Sequence, residues 1–595
     1  MQDGLANLMR AGAMLTPRER GTQSTRSIRC SRVRGGAMLL VVALLTVVFP
    51  QSGRGQLRAA DAPAGVASSD AADRDSEQQL VERRELRFKQ LPAPPVPPHP
   101  DGPALNPIDQ FIVAAWRTAP AHDEPQTCDD STFLRRVYLD VIGVIPTLHE
   151  ANRFLASGAK ETKREKLVDQ LLARKSDYAA HWTAFWEDAL ASQNVRTQGG
   201  ILTRGNYRDW LTESFEQNRP YDVMVAELLD PTMRGRKSAE TADVLGAKFA
   251  IEYVRNEDHT ATLQTAANVA QVFLATSMKC ASCHDHFENS EWPQDRFLAF
   301  AGLFAPVDLE HIRCELKSGQ TVAARFPFDL PGALESVPAD LQGRLHLAAQ
   351  RITDPANPRF AKAIVNRLWK RYLGLGLFEP ADDFRLDTPA SHPELLDWLA
   401  YDFIEHGCDL KHTIRLILTS RTYQLRYEAR LEDHFGAGQK NAPRTFRSPA
   451  LRRLSAEQLL DSIRVAASGA FVPAERCFLD IRSTALSRAL GRPASRNEIS
   501  TARPDDAAVV QALELLNGPE LHDMIYKNSL FTDAAARKDA RQAVDRLYRA
   551  TLSRPATAAE KNAGRSYVQG ADSPAEALKD VLWALVCSPE FQYIK

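Results

Sequence analysis

Residues 131–147 read STFLRRVYLDVIGVIPT. Phe133, Leu134, Val137 and Tyr138 recur at the spacing of one helix face, and Ser131 and Thr132 stand where a helix N-cap is expected. The same period runs outward in both directions. Upstream, Ile108, Phe111, Ile112 and Ala115 fall at i, i+3, i+4 and i+7. Downstream come Leu167, Leu171 and Leu172, then an aromatic cluster at His181, Trp182, Phe185 and Trp186. Phe360, Ile364 and Leu368 share a face, as do Leu395, Leu396, Leu399 and Phe403. Strand signals are scarce. The best is QTVAARFPFDL at 320–330, where Pro327 would confine a strand to a sheet edge. The expected fold class is mainly α, with two helical domains joined by a short irregular or β connector.

A chain of 595 residues is long enough for several domains. Its 44% hydrophobic and 25% charged content excludes a disordered or fibrous protein. The net charge of −1 averages two unlike parts. Residues 1–58 carry nine arginines and two acids, a local +7, which leaves about −8 on the remainder. An acidic body argues against nucleic acid as a partner. The basic stretch precedes AMLLVVALLTVVF at 37–49, thirteen almost wholly apolar residues. A charged leader before a short apolar run is the pattern of a secretion signal, and thirteen residues fall short of the roughly twenty that span a bilayer as a helix. Residues 1–60 are therefore read as a signal or leader segment and the protein as exported, to the periplasm or cell surface. The alternative is an uncleaved N-terminal anchor; no membrane span is expected in the mature chain. Residues 61–104 read as a linker, with seven prolines at 92–103. A first helical domain is expected over 105–310, a connector over 311–356 and a second helical domain over 357–595.

Eight cysteines are too few for a disulfide scaffold. Two of them form Cys280-Ala281-Ser282-Cys283-His284, the C-x-x-C-H pattern of c-type haem attachment. Two thiols about one turn apart suit the two haem vinyl groups, and His284 would be the proximal ligand of the haem iron. Export supports covalent haem c. A Cys280–Cys283 disulfide, or zinc held by Cys280, Cys283 and His284 or His286, are the alternatives. Trp292, Phe297, Phe300 and Phe304 follow as an aromatic group able to line a haem face. Met278 and His286 stand too near the proximal arm to cross the ring, leaving His259, His311, Met224 and Met233 as candidates for the sixth iron ligand.

These motifs form a set. PIDQFI (107–112), FLRRVYLDVIGVIPT (133–147), KLVDQLLA (166–173), NRPYDVMVAELL (218–229) and CASCHDHF (280–287) in the first half resemble the PSCyt type of cytochrome-like domain. NPRFAKAIVNRLWKRYLGLGLFEPADDFR (357–385), SHPELLDWLAYDFIEHGCDLKHTIRLILTSRTYQL (391–425), RRLSAEQLLDSI (452–463), LELLNGPEL (513–521) and SPEF (588–591) resemble the PSD type. The pair is abundant in planctomycete-type bacteria and has no established reaction. The resemblance implies a secreted, largely helical protein with Cys280 and Cys283 as attachment residues and His284 as axial ligand. Two departures stand out: Phe287 replaces a usual proline, and the GRP at 491–493 is not followed by a C-x-C element.

The second half also gathers Asp382, Asp383, Arg385, His392, Glu394, Asp397, His406, Asp409 and His412. Such groups could bind a metal or act as acid and base in hydrolysis. The competing reading is local: Ser391 as N-cap with Glu394 completing a capping box, His406-Gly407 as a helix end, and Asp382 and Asp383 paired with Arg385 in a turn. The leading functional expectation is an exported c-type cytochrome-like protein with one haem used for electron transfer or redox sensing, and an unknown redox or cell-envelope partner. The alternatives are an envelope binding or scaffold protein with a structural disulfide or zinc, and a hydrolase.

Overall fold

The computed structural model describes residues 66–99, 102, 104–118, 124–158, 162–190, 195–197, 200–202, 207–230, 233, 260–313, 316–331, 336–428, 445–479, 483–493, 499–501, 503, 509–527 and 539–595. The leader lies outside them. Residues 69–595 form one compact, mainly helical unit. Among the described residues there are three two-stranded antiparallel ladders, and no helix is long and apolar enough to cross a membrane.

The opening stretch forms the Asp130–Val141 helix, and every residue from Phe133 to Val141 is buried. Its cap is Asp129, whose carboxylate accepts from the Thr132 amide at 2.8 Å; Ser131 only donates its hydroxyl to that carboxylate. A carboxylate one residue earlier outcompetes the two hydroxyls expected to cap, because it also suits the positive helix N-terminus. A helix buried all round must satisfy its polar side chains internally. Arg135 donates to the carbonyls of Thr551 (2.8 Å) and Phe591 (2.7 Å). Arg136 donates to the carbonyls of Tyr423, Leu425 and Lys595. Asp140 accepts from both terminal nitrogens of Arg452, at 2.6 and 2.9 Å, and from the Tyr423 hydroxyl at 2.7 Å. The first-half helix is thus plugged into acceptors and donors from the second half.

Gly143 follows with φ +74°, a conformation that favours glycine; a Cβ there would lie 2.2 Å from His181 Nδ1. Thr147 and Glu150 then make a capping box at the Leu148–Ala156 helix. The stretch read as a linker contains the Val66–Phe88 helix, and its C-terminal part is docked: Arg84 bonds Asp222 at 2.9 Å, and Arg87 bonds Asp354 at 3.1 Å.

The connector holds more regular structure than its Gly and Pro content suggests. Leu309–Arg313 pairs with Leu316–Val322, so the strand expected at 320–330 is mostly earlier and ends before Pro327. Next, Asp340 caps the Leu341–Ile352 helix, and Arg344 ties it to the Gly302 carbonyl (2.9 Å) and Asp308 (3.0 Å). The third ladder pairs Arg452 with Ile594 and Arg453 with Tyr593.

Candidate functional site

The Thr260–Leu274 helix delivers the chain to the cysteine turn. After it Ala275 takes φ +46°, and the second half grips the approach. The Ser277 amide donates to Asp383 at 3.2 Å, and the Phe384 amide donates to the Ala275 carbonyl at 2.7 Å. Met278 is fully buried, and Lys279–Ser282 winds one 3₁₀ turn. Within it Ala281 points inward and is fully buried, while Cys280 and Cys283, the residue that ends the turn, are exposed with free thiols. Alternation on this turn follows from residue type: the one apolar side chain anchors the loop, which leaves both sulfurs facing out.

His284 is also exposed, and its Nδ1 lies 2.7 Å from the Asp285 carbonyl. A carbonyl can only accept, so Nδ1 donates to it and Nε2 is the nitrogen that this bond does not use. Metal-bound imidazoles are oriented in this way, with the far nitrogen donating to a backbone carbonyl. The Phe287 ring lies 4.1 Å from the His284 ring and is 84% exposed. Asp285 accepts from the Gln294 amide at 2.8 Å, and Gln294 donates to the Ser282 carbonyl at 3.2 Å, so the turn is fixed to the Gln294–Ala301 helix.

Other residues near the motif are engaged elsewhere. Trp292, Phe297 and Phe300 are fully buried and Phe304 nearly so. The helix places Phe297 and Phe300 on its inner side and the Gly302–Phe304 turn adds Phe304, where Phe300 meets Phe304 and Phe326 edge-on. The aromatic group expected to line a haem face is therefore core, and the exposed ring beside His284 is Phe287. His286 is buried, and its Nδ1 accepts the amides of Glu288 (3.2 Å) and Asn289 (3.1 Å). Among the sixth-ligand candidates Met224 and Met233 are buried, and His311 is held by Gln294 (3.0 Å) and Asp295. His259 lies outside the described residues. The donor atoms of Cys280, Cys283 and His284 do not converge within 4.8 Å as a preformed tetrahedral zinc site would have them.

The acidic and histidine constellation separates into local sets. Asp382 pairs with Arg367 (2.8 Å), whereas Asp383 pairs with Arg385 (2.6 Å), so the expected triad is only half correct. Arg385 also reaches Glu288, 2.8 Å away. The Ser391–Glu394 capping box does not form. Pro393 at the first turn makes His392 the cap, and the Ser391 hydroxyl donates to the Leu377 carbonyl at 3.0 Å instead. Burial holds the His392 imidazole down at about 4. Asp397 pairs with Lys362. At the next helix junction, where Gly407 (φ +73°) ends the Pro393–Glu405 helix, Asp402, His406 and His412 bring ligand atoms within 4.8 Å. The two rings stack 3.7 Å apart at 12°, so their in-plane lone pairs run side by side rather than toward one ion. The contact is better described as a charged pair: His412 Nε2 lies 3.0 Å from Asp402, whose hydrogen bond raises the imidazole's pKa. Asp409 caps the Leu410–Thr419 helix through the His412 amide.

A further feature is assembled from distant segments. A cavity of about 250 Å³ lies where the Asp130–Val141 and Lys175–Ala189 helices meet the Phe360–Leu373 helix and the Arg452–Arg453 strand. Its walls include His181, Phe185, Arg371, Arg452, Phe478 and Arg503. These residues come from sequence positions more than 300 apart, so no local spacing announces them. The signals present were a histidine inside the aromatic cluster at 181–186 and the paired arginines at 452–453.

Two family models match the chain: PSCyt2, a protein of unknown function (DUF1549), over residues 107–309, and PSD1, a protein of unknown function (DUF1553), over residues 343–474. No curated protein and no solved structure matches.

Proposed function

The chain belongs to the proteins that pair a PSCyt2 domain with a PSD1 domain, and on that premise we propose that it is an exported, single-haem c-type cytochrome-like protein that carries electrons or senses redox state. The observation that carries this reading is the cysteine turn itself. Two free thiols face outward on one short turn, and the adjacent His284 has its Nδ1 committed to a backbone carbonyl with Nε2 left available. These residues fit the donor set of haem c. Cys280 and Cys283 would hold the macrocycle through thioether bonds, and His284 would ligate the iron. The bound group would supply one-electron chemistry. The protein's own part is positional: buried Ala281, the Gln294 bonds and the Asp383 clamp on Ser277 fix where the thiols and imidazole stand. The exposed Phe287 ring offers an apolar contact at the same place. An unknown redox or cell-envelope partner would meet this exposed side. Zinc or a Cys280–Cys283 disulfide on the same residues remains the competing use of the motif.

The test is expression of the full chain with its leader, beside a periplasmic c-type maturation system. A covalent haem-staining band and a pyridine haemochrome spectrum are expected from the wild type, with both lost in Cys280→Ala and Cys283→Ala. An exported, folded protein that carries zinc or an oxidised pair and no haem overturns the proposal.

A further inference from the structure

We propose that the 250 Å³ cavity between the two halves is a binding site for a small organic anion, with the Arg371 guanidinium as its anchor. Basic side chains dominate the cavity wall, and most have an internal carboxylate. Arg452 is paired with Asp140, Arg503 with Asp188 and Glu457, Arg476 with Asp461, and Arg367 with Asp382. Arg371 differs. Among the described residues no carboxylate is hydrogen-bonded to it: Asp140 acts on it only through space and is committed to Arg452 and Tyr423, and its polar partner is His181 Nε2 at 2.8 Å. Two aromatic rings pack on its guanidinium, Trp182 at 4.9 Å and Phe185 at 4.7 Å.

His181 cannot supply the missing charge. Its Nε2 must be unprotonated to accept from Arg371, and burial beside Arg371 and Arg476 holds the imidazole neutral. Gly143 is required for this placement, since any side chain there would displace His181. The ring stack and the imidazole therefore orient the guanidinium without neutralising it. Arg371 is half-buried and Asp140 is already shared with Arg452, so the guanidinium keeps donors and positive charge toward the cavity, which favours an anion there. A planar fork of donors suits carboxylate, phosphate-ester and sulfate-ester oxygens alike.

The ligand's remaining character follows from size and lining. Phe185, Phe478, Leu454 and Leu490 give the cavity apolar wall, so the occupant is an anion on a short apolar body rather than a bare inorganic ion. The volume lies just below the usual range for ligand pockets, which limits the ligand to roughly one ring. The site shares no residue with the cysteine turn and stands whether or not haem is attached.

The experiment is isothermal calorimetry and thermal unfolding of the full chain with four probes: benzoate, phenyl phosphate, inorganic phosphate and benzyl alcohol. Benzoate or phenyl phosphate is expected to bind and raise Tm, and which of them binds tighter identifies the anionic group. Inorganic phosphate should bind more weakly and benzyl alcohol not at all. Arg371→Gln should weaken binding at least about tenfold. Arg371→Lys keeps the charge, loses the fork and should bind at an intermediate level, which preserves the test if the glutamine variant fails to fold. The proposal is overturned if neither organic anion binds at millimolar concentration, if benzyl alcohol binds equally, or if both Arg371 variants bind like wild type.

Discussion

The cysteine turn and the inter-half junction handle polar chemistry in opposite ways. At residues 280–284 the reactive groups face outward, held by a few backbone bonds and one buried alanine. At the junction, Arg135, Arg136, Asp140 and Arg452 are largely withdrawn from solvent and are bonded by distant parts of the chain, with the Nε atoms of Arg135 and Arg452 left without a partner. Chemistry on a surface turn costs the fold little, so it can be written in five consecutive residues. Buried charge costs several kcal/mol for each ion left unpaired, so it must be assembled from many segments at once.

The largest break in this comparison is expected from Arg136→Met. It removes the donor for two buried carbonyls and the part-buried Lys595 oxygen and should cost about 3–5 kcal/mol, read as a lower urea midpoint with an unchanged slope. A loss below about 1 kcal/mol would mean that the junction does not hold the halves together. Acid supplies the next largest effect. His392 is depressed to about 4 in the folded chain against an ordinary value of 6.5. Its unfolded form therefore gains a proton first, and stability present above pH 6.5 falls by about 3 kcal/mol as pH drops to 4. His181 acts in the same direction. His412, raised by Asp402, acts oppositely: its contribution is full below its unfolded value and is lost as pH climbs through the folded one. Denaturant titrations of His392→Leu should show a shallower decline between pH 6.5 and 4, and an unchanged slope would remove buried His392 as the cause. The smallest effect belongs to the exposed turn. Cys280→Ala and Cys283→Ala should change the stability of the haem-free protein by less than about 0.5 kcal/mol. A loss near that of Arg136→Met would show that the two regions are not different in kind.

The same contrast explains what was legible in the sequence. The helical class was readable because apolar periodicity is local, as at Phe133, Leu134, Val137 and Tyr138. The cysteine motif was readable because its chemistry fits one turn. Asp129 was passed over as a cap because the neighbouring hydroxyls offered the more familiar signature. The aromatic group at 292–304 was misplaced because a haem face and a core both select large rings, and only the direction of the helix separates them. The surroundings of Arg371 were not legible, because its neighbours His181, Trp182 and Phe185 stand about 190 positions away in the chain.

Arg136 also sets a clock. One of its acceptors, the Lys595 carbonyl, stands 459 residues later in the chain. At about 5–20 residues per second, roughly 20–90 s separate the synthesis of donor and acceptor. Through that interval the acceptors arrive one segment at a time, Tyr423 and Leu425 first, then Thr551 and Phe591, and Lys595 last, so the Asp130–Val141 helix gains its partners late. Until then that helix lacks part of its polar partners, which leaves the nascent chain more exposed to proteases and aggregation.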